Sequence, residues 1–171
     1  ELICLIGSNG FRIAWVRGNI KSHKKYFYAL QDEKSIVITV DDDMYYSEEM
    51  VGTLLDSYRK HPHSISARNV HIITREKDCI SPYLSWESDV TEYIGVERMD
   101  LCAIGVNGVL YPPGCRTESW FNIDDIMKYA KNQDDLWLKF NEIIEGIPTV
   151  YTGMDGYDRV IEETQVNALY I

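Results

Sequence analysis

Apolar positions along the chain switch repeatedly between helical spacing and short β-branched runs. Residues 11–16 (Phe-Arg-Ile-Ala-Trp-Val) alternate as a strand does, and Gly18-Asn19 ends it. Residues 22–30 read as a helix with Tyr26, Phe27 and Leu30 on its apolar side. Residues 35–40 (Ser-Ile-Val-Ile-Thr-Val) are dominated by β-branched residues, as expected of a strand buried on both faces. Ser47 then offers a helix N-cap, with Glu48 and Glu49 in the first turn, where the helix dipole favours acids. Met50, Val51, Leu54, Leu55 and Tyr58 follow at helical spacing until Pro62.

The second half repeats the alternation. Residues 64–74 read as one or two strands, and 82–92 as an irregular aromatic stretch. Residues 101–111 read as strand broken by Gly105 and Gly108, and Pro112-Pro113-Gly114 ends it. Asn122 caps a helix to about Ala130. Another helix covers 134–145, with Leu136, Phe140, Ile143 and Ile144 as its apolar face and Gly146 just past its end. Residues 147–152 form a last strand. Alternating strands and helices predict an α/β layered domain with a mostly parallel sheet flanked by helices.

Composition narrows the function. The chain has 171 residues, with 17 Lys+Arg against 27 Asp+Glu and a formal charge of −10. Hydrophobic residues make up 45%, enough for one core, so residues 1–171 read as a single domain or a large piece of one. Nucleic-acid binding relies on basic surface, and this acidity argues against it. The longest apolar runs fall far short of the ~20 residues that span a bilayer. Cys4, Cys79, Cys102 and Cys115 lack the close pairing of a zinc site and read as reduced thiols of a cytoplasmic protein.

The acids after the buried strand carry the chemistry. Asp41, Asp42 and Asp43 repel one another, and a divalent cation is one sufficient reason to gather them. The bland alternative is a solvated acidic turn. Ligands of open α/β sheets bind outside the carboxyl ends of strands, where this triplet falls. Phosphohydrolases of the haloacid dehalogenase type also place an Asp-x-Asp there, with Asp41 as nucleophile, and residues 153–158 would supply their later acidic motif. Such enzymes follow the acids with a small hydroxyl residue, whereas Met44-Tyr45-Tyr46 follows here.

Asp134-Asp135 open a predicted helix. Acids there stabilise the helix N-terminus, but paired carboxylates also raise one another's pKa and could supply a general base. Asp124-Asp125 is explained by capping alone. Gly105 and Gly108 would let backbone approach a ligand closely, with Asn107 as the hydrogen-bonding residue, or else simply break a strand. Lys24 and Lys25 would neutralise a diphosphate, or else face solvent. Trp86, Trp120 and Trp137 are stacking candidates but read first as core. His23, His61, His63 and His71 show no helical metal-binding spacing.

Four segments combine these features. They are His23-Lys-Lys-Tyr-Phe-Tyr-Ala-Leu30, Val37-Ile-Thr-Val-Asp-Asp-Asp-Met-Tyr-Tyr46, Gly105-Val-Asn-Gly-Val-Leu-Tyr-Pro-Pro-Gly114 and Asn132-Gln-Asp-Asp-Leu-Trp-Leu-Lys139. In that order they resemble a family of bacterial glycosyltransferases with the GT-A fold, found among genes for surface polysaccharide and lipopolysaccharide. Residues 163–169 also resemble that family's C-terminal region. The resemblance implies a Rossmann-related GT-A-like fold, a nucleoside-diphosphate sugar donor, Mn²⁺ or Mg²⁺, and transfer to a hydroxyl of a glycan or lipid-linked acceptor, with possible peripheral membrane association. It implies that Asp43 and Asp41 serve the metal, that Asp41 or Asp42 serves the nucleotide, and that Asp135, or else Asp134, is the base. It further implies that the strand holding the nucleotide base lies upstream, so that the sequence reads as a fragment, or else as a non-catalytic remnant that binds sugar or a partner protein.

Overall fold

The computed structural model describes residues 15–16, 18–88, 90–154, 156 and 158–167. Most of the strand expected at 11–16, Cys4 and the end of the C-terminal resemblance lie outside the described residues. Trp15 and Val16 are exposed and outside any strand.

The central sheet has five strands: β1 (Val37–Thr39), β3 (Ile65–Ala67), β7 (Glu97–Arg98), β9 (Val109–Tyr111) and β10 (Thr149–Tyr151). Their order is β1-β9-β3-β10-β7. Only β3 and β10 pair in parallel; β1–β9, β9–β3 and β10–β7 are antiparallel. The expected mostly parallel sheet is therefore corrected to a mixed one. The physical reason is the connection into β9, a tight turn at Gly105–Asn107 that re-enters the sheet without a crossover helix.

Two-stranded ribbons complete the β-structure: β2 (Met44–Tyr45) with β11 (Arg159–Val160), β4 (Val70–Ile72) with β8 (Leu101–Ala103), and β5 (Arg75–Glu76) with β6 (Cys79–Ile80).

Helices cover both faces of the sheet. Side chains alternate across it, so Val109 and Tyr111 enter the larger core while Leu110 enters the smaller. The larger core packs against α1 (Lys24–Phe27), α3 (Ile123–Tyr129) and α4 (Asp134–Glu145) through Tyr26, Phe27, Ile126, Trp137 and Leu138. The smaller packs against α2 (Met50–Lys60) through Met50 and Leu54. Each such buried apolar side chain contributes about 1.5–3 kcal/mol.

Several sequence expectations change in detail. The helix expected at 22–30 is a 3₁₀ turn over Lys21–His23 followed by the single turn of α1. The run at 35–40 is not buried on both faces: β1 is an edge among the described strands, and Ile36 and Val40 are exposed. Ser47 does not cap α2; its N–H donates to Asp158 instead. Asn122 does cap α3, accepting from the N–H groups of Asp124 and Asp125. Gly146 ends α4 in the left-handed conformation at φ 71°.

The apolar face assigned to α4 is also corrected. Phe140, Ile143 and Ile144 are exposed, whereas Trp137, Leu138, Lys139, Asn141 and Glu142 are buried. The polar members are tolerated because they satisfy one another. Lys139 Nζ lies 3.1 Å from both Glu142 Oε2 and Thr149 Oγ1, and the Asn141 amide donates to the Trp137 carbonyl.

Candidate functional site

Strand register assembles the site. The pairing of Thr39 with Val109 sets the carboxyl end of β1 beside the start of β9. Ala67 opposite Val109, and Tyr151 opposite Ala67, bring the ends of β3 and β10 to the same edge. Asp41–Asp43, Arg68-Asn69 and the Gly105–Gly108 turn therefore converge at one edge of the sheet. The first turn of α4 joins them there, since the Gly105 N–H donates to Asp135 Oδ1 at 3.2 Å.

Four side chains expected from the sequence meet around Gly105. Lys25 Nζ stands 2.5 Å from Asp41 Oδ1 and 3.6 Å from Asp134 Oδ2. A Cβ at position 105 would lie 2.8 Å from Lys25 Nζ and 2.9 Å from Asp135 Oδ1. Glycine is needed here to leave room for those two groups, not for a special backbone angle. Asp41 is held in turn by Tyr46: the Asp41 N–H donates to the phenol oxygen at 2.7 Å, and the phenol donates to the Val106 carbonyl at 2.9 Å.

This environment perturbs Asp135 in the direction a proton acceptor needs. Burial and the adjacent Asp134 carboxylate raise its pKa to about 7, opposed by the Lys25 ammonium and the Gly105 N–H. A carboxyl titrating near neutrality is matched to general-base work. Burial alone would pull the Lys25 pKa down, but Asp134, Asp41 and Asp135 together hold it well above its ordinary value.

Behind this cluster lies a second, internal network. Arg68 Nη1 pairs with Asp158 Oδ2 at 2.7 Å, Asn107 Nδ2 donates to the same oxygen at 3.1 Å, and the Ser47 N–H donates to Asp158 Oδ1 at 3.0 Å. The Asn69 amide donates to Asn107 Oδ1 at 2.9 Å. Both ends of the Asn107 side chain are thus engaged within the protein, so it ties the Gly105–Gly108 turn to β3 and the chain beyond β10. Gly108 adopts φ +95°, and a Cβ there would press on Met50 Sδ at 3.2 Å. Its smallness serves the packing of α2 as well as the turn.

The remaining expected residues stand apart. Lys24 is exposed, as is Asp42; Asp43 is half-buried, and its carbonyl accepts from the Ile161 N–H at 2.8 Å. Trp120 and Trp137 are core residues joined by the Trp137 indole N–H and the Trp120 carbonyl. Trp86 packs on Tyr83 with ring centroids 5.1 Å apart. His23 is buried, with Nε2 2.7 Å from the Ala130 carbonyl and Nδ1 3.0 Å from the Tyr26 hydroxyl.

Sequence patterning does not single out Tyr46, Arg68 or Asn69 as site residues, and Asp158 enters it only through the phosphohydrolase motif. Arg68 had a signal available: a lone cation closing the apolar run Ile65-Ser-Ala67 needs a buried partner.

Among the described residues no three His, Cys, Asp or Glu side chains form a ready-made metal cage. A cation bound with a diphosphate does not require one, because Mg²⁺ is held by one or two carboxylates plus substrate phosphates. Asp42, exposed, and Asp43, half-buried and next in sequence, carry the oxygen donors that such a cation takes. The Asp41 carboxylate is committed to Lys25 in this arrangement. Among the described residues no helix is long and apolar enough to cross a membrane. No family model, curated protein or solved structure matches the chain.

Proposed function

We propose that this chain is a GT-A-like glycosyltransferase domain that moves a sugar from a nucleoside-diphosphate donor to an acceptor hydroxyl in polysaccharide or glycan synthesis. The observation that carries this reading is the placement of Asp135, held by the Gly105 N–H at the strand-end edge beside Lys25, Asp41 and Asp134; burial and Asp134 raise its pKa to about 7, in keeping with a base. In the proposed step Asp135 takes the acceptor hydroxyl proton as that oxygen attacks the anomeric carbon. The bond from that carbon to the phosphate oxygen breaks, and the nucleoside diphosphate leaves. Direct displacement inverts the anomeric centre. Mn²⁺ or Mg²⁺, held by Asp43 and Asp42, would supply Lewis-acid stabilisation of the leaving diphosphate.

The phosphohydrolase alternative is less well supported. Asp158 of its expected later motif has both oxygens engaged by Ser47, Asn107 and Arg68. Asp155 lies outside the described residues.

Two measurements test the proposal. A nucleoside diphosphate with Mn²⁺, at about 100 times its Kd, should stabilise the chain by about 2.7 kcal/mol, raising Tm by roughly 5–10 °C. Asp135→Asn should then lower sugar transfer by about 10²–10⁴-fold while donor binding persists. Undiminished transfer by the variant, or no response to any nucleoside diphosphate, would refute it.

A further inference from the structure

Lys25 is held in place from behind. It sits in the single turn of α1, whose Tyr26 and Phe27 are buried in the larger core. His23, one step before that turn, is fully buried and bonded to the carbonyl of Ala130. Ala130 ends α3 and lies four residues before Asp134, so the backbone carrying Lys25 is tied to the chain that leads into α4. The ammonium then reaches across the sheet edge to Asp41 on one side and Asp134 on the other. It shares with Asp135 Oδ1 the small space that a side chain at 105 would fill.

We propose that Lys25 is a positioning residue: its ammonium is the internal counter-cation that draws the carboxylates of Asp41 and Asp134 to one point and thereby orients Asp135, and it is not the ligand of a donor diphosphate. The proposal rests on the transferase reading for its purpose. The geometry it invokes stands without a donor.

The electrostatics give it a consequence. Asp135 faces Asp134 on its own helix, Lys25 from α1 and Asp41 from the end of β1, and acts in turn on Tyr111 of β9 and Cys102 of β8; Lys139 and Glu142, further along its helix, bear on Cys102 as well. Lys25 is the cation that opposes the raised pKa of Asp135, whereas Lys139 is bonded to Glu142 and Thr149. Removing its charge leaves carboxylates facing one another, so the proton on Asp135 is held more tightly. A ligand for diphosphate would act differently. Its loss would weaken donor binding at every pH and leave the titration of Asp135 in place.

The test uses the full chain as Lys25→Met and Lys25→Arg. Carboxyl ¹³C NMR, without donor or metal, follows Asp135, whose resonance is identified by its loss in Asp135→Asn. The midpoint should rise by about one pH unit or more in Lys25→Met and stay near the wild-type value in Lys25→Arg. With donor present, the acid limb of the kcat/KM profile should move the same way, with donor KM within about threefold of wild type. An unmoved midpoint together with a donor KM raised about tenfold at all pH values would overturn the proposal. If Lys25→Met does not fold, Lys25→Gln decides: a midpoint raised by about one pH unit or more supports the counter-cation role, and a wild-type midpoint with a donor KM raised about tenfold opposes it. A chain with the expected midpoints but no sugar transfer would sink the transferase reading and leave the role of Lys25 standing.

Discussion

Arg68 and Asp158 form an ion pair of 2.7 Å whose side chains are 0% and 1% exposed. A pair so enclosed is costly to make, and its partners cannot be removed singly without leaving a buried charge. Arg68→Met should therefore destabilise the fold by about 3–5 kcal/mol in urea unfolding. Adding Asp158→Asn should recover part of that loss, because the stranded carboxylate is then gone. Burial pushes the Asp158 carboxyl up, yet Asn107, the Ser47 N–H and Arg68 hold it below its ordinary 3.8. The stability it contributes is thus complete above that value and disappears as pH falls through the folded one. Unchanged unfolding of Arg68→Met would show the pair to be dispensable.

Gly105→Ala separates the site from the fold. The added methyl carbon meets the flexible ends of Lys25 and Asp135, not backbone. Those ends can swing aside, so the stability cost should stay near 1 kcal/mol or below. Swinging aside displaces the proposed base, and a misplacement of about 1 Å costs on the order of 10²-fold in rate. Near-normal Tm with a strongly reduced kcat is expected. Near-normal kcat would mean that the contact around Gly105 does not matter to turnover.

The sequence carried the parts of the site that are local. Three acids after a β-branched run, a glycine-broken strand and an acidic pair opening a helix are each visible within a few residues, and three-dimensional register brings them to one edge. What it hid was which partner each charge would find. Lys25 lies in a one-turn helix with little periodicity of its own, and its partners are 16 and more than 100 residues away. Sheet direction was hidden for a related reason: the overall alternation of strands and helices predicts parallel pairing, whereas residues 101–111, which read as one broken strand, turn at Gly105–Asn107 into a β9 antiparallel to both its neighbours.

Helix α4 shows the same limit in apolar patterning. Two faces competed: Leu136, Phe140, Ile143 and Ile144 on one, and Trp137, Leu138, Asn141 and Glu142 on the other. Hydrophobicity favours the first, but the second is buried because Lys139, Glu142 and Thr149 satisfy one another inside. Phe140 and Ile144 remain 60% and 61% exposed, while Trp137 is 7% exposed. Phe140→Ser and Ile144→Ser should each change stability by no more than about 0.5 kcal/mol. Trp137→Ala should cost about 3–5 kcal/mol. A large loss from either serine variant in chemical denaturation would restore the face that hydrophobicity alone selects.

The pH dependence of Asp135 should run in opposite directions for activity and stability. A general base acts as its carboxylate, so kcat/KM should fall about tenfold per unit as pH drops below about 7. Asp134 lies beside it, so the observed midpoint belongs to the pair. For stability, the folded value of about 7 exceeds the ordinary 3.8. Between those values the folded chain holds a proton that the unfolded chain has released. Stability therefore decreases as pH rises through this window, by an amount on the order of a few kcal/mol. Asp135→Asn has nothing to ionise and should lack this component. Urea midpoints of wild type and variant should converge near pH 4 and separate towards pH 7, with the variant the more stable at the upper end. Parallel curves across the window would show that Asp135 ionises as an ordinary surface acid, and the proposed base would lose its basis.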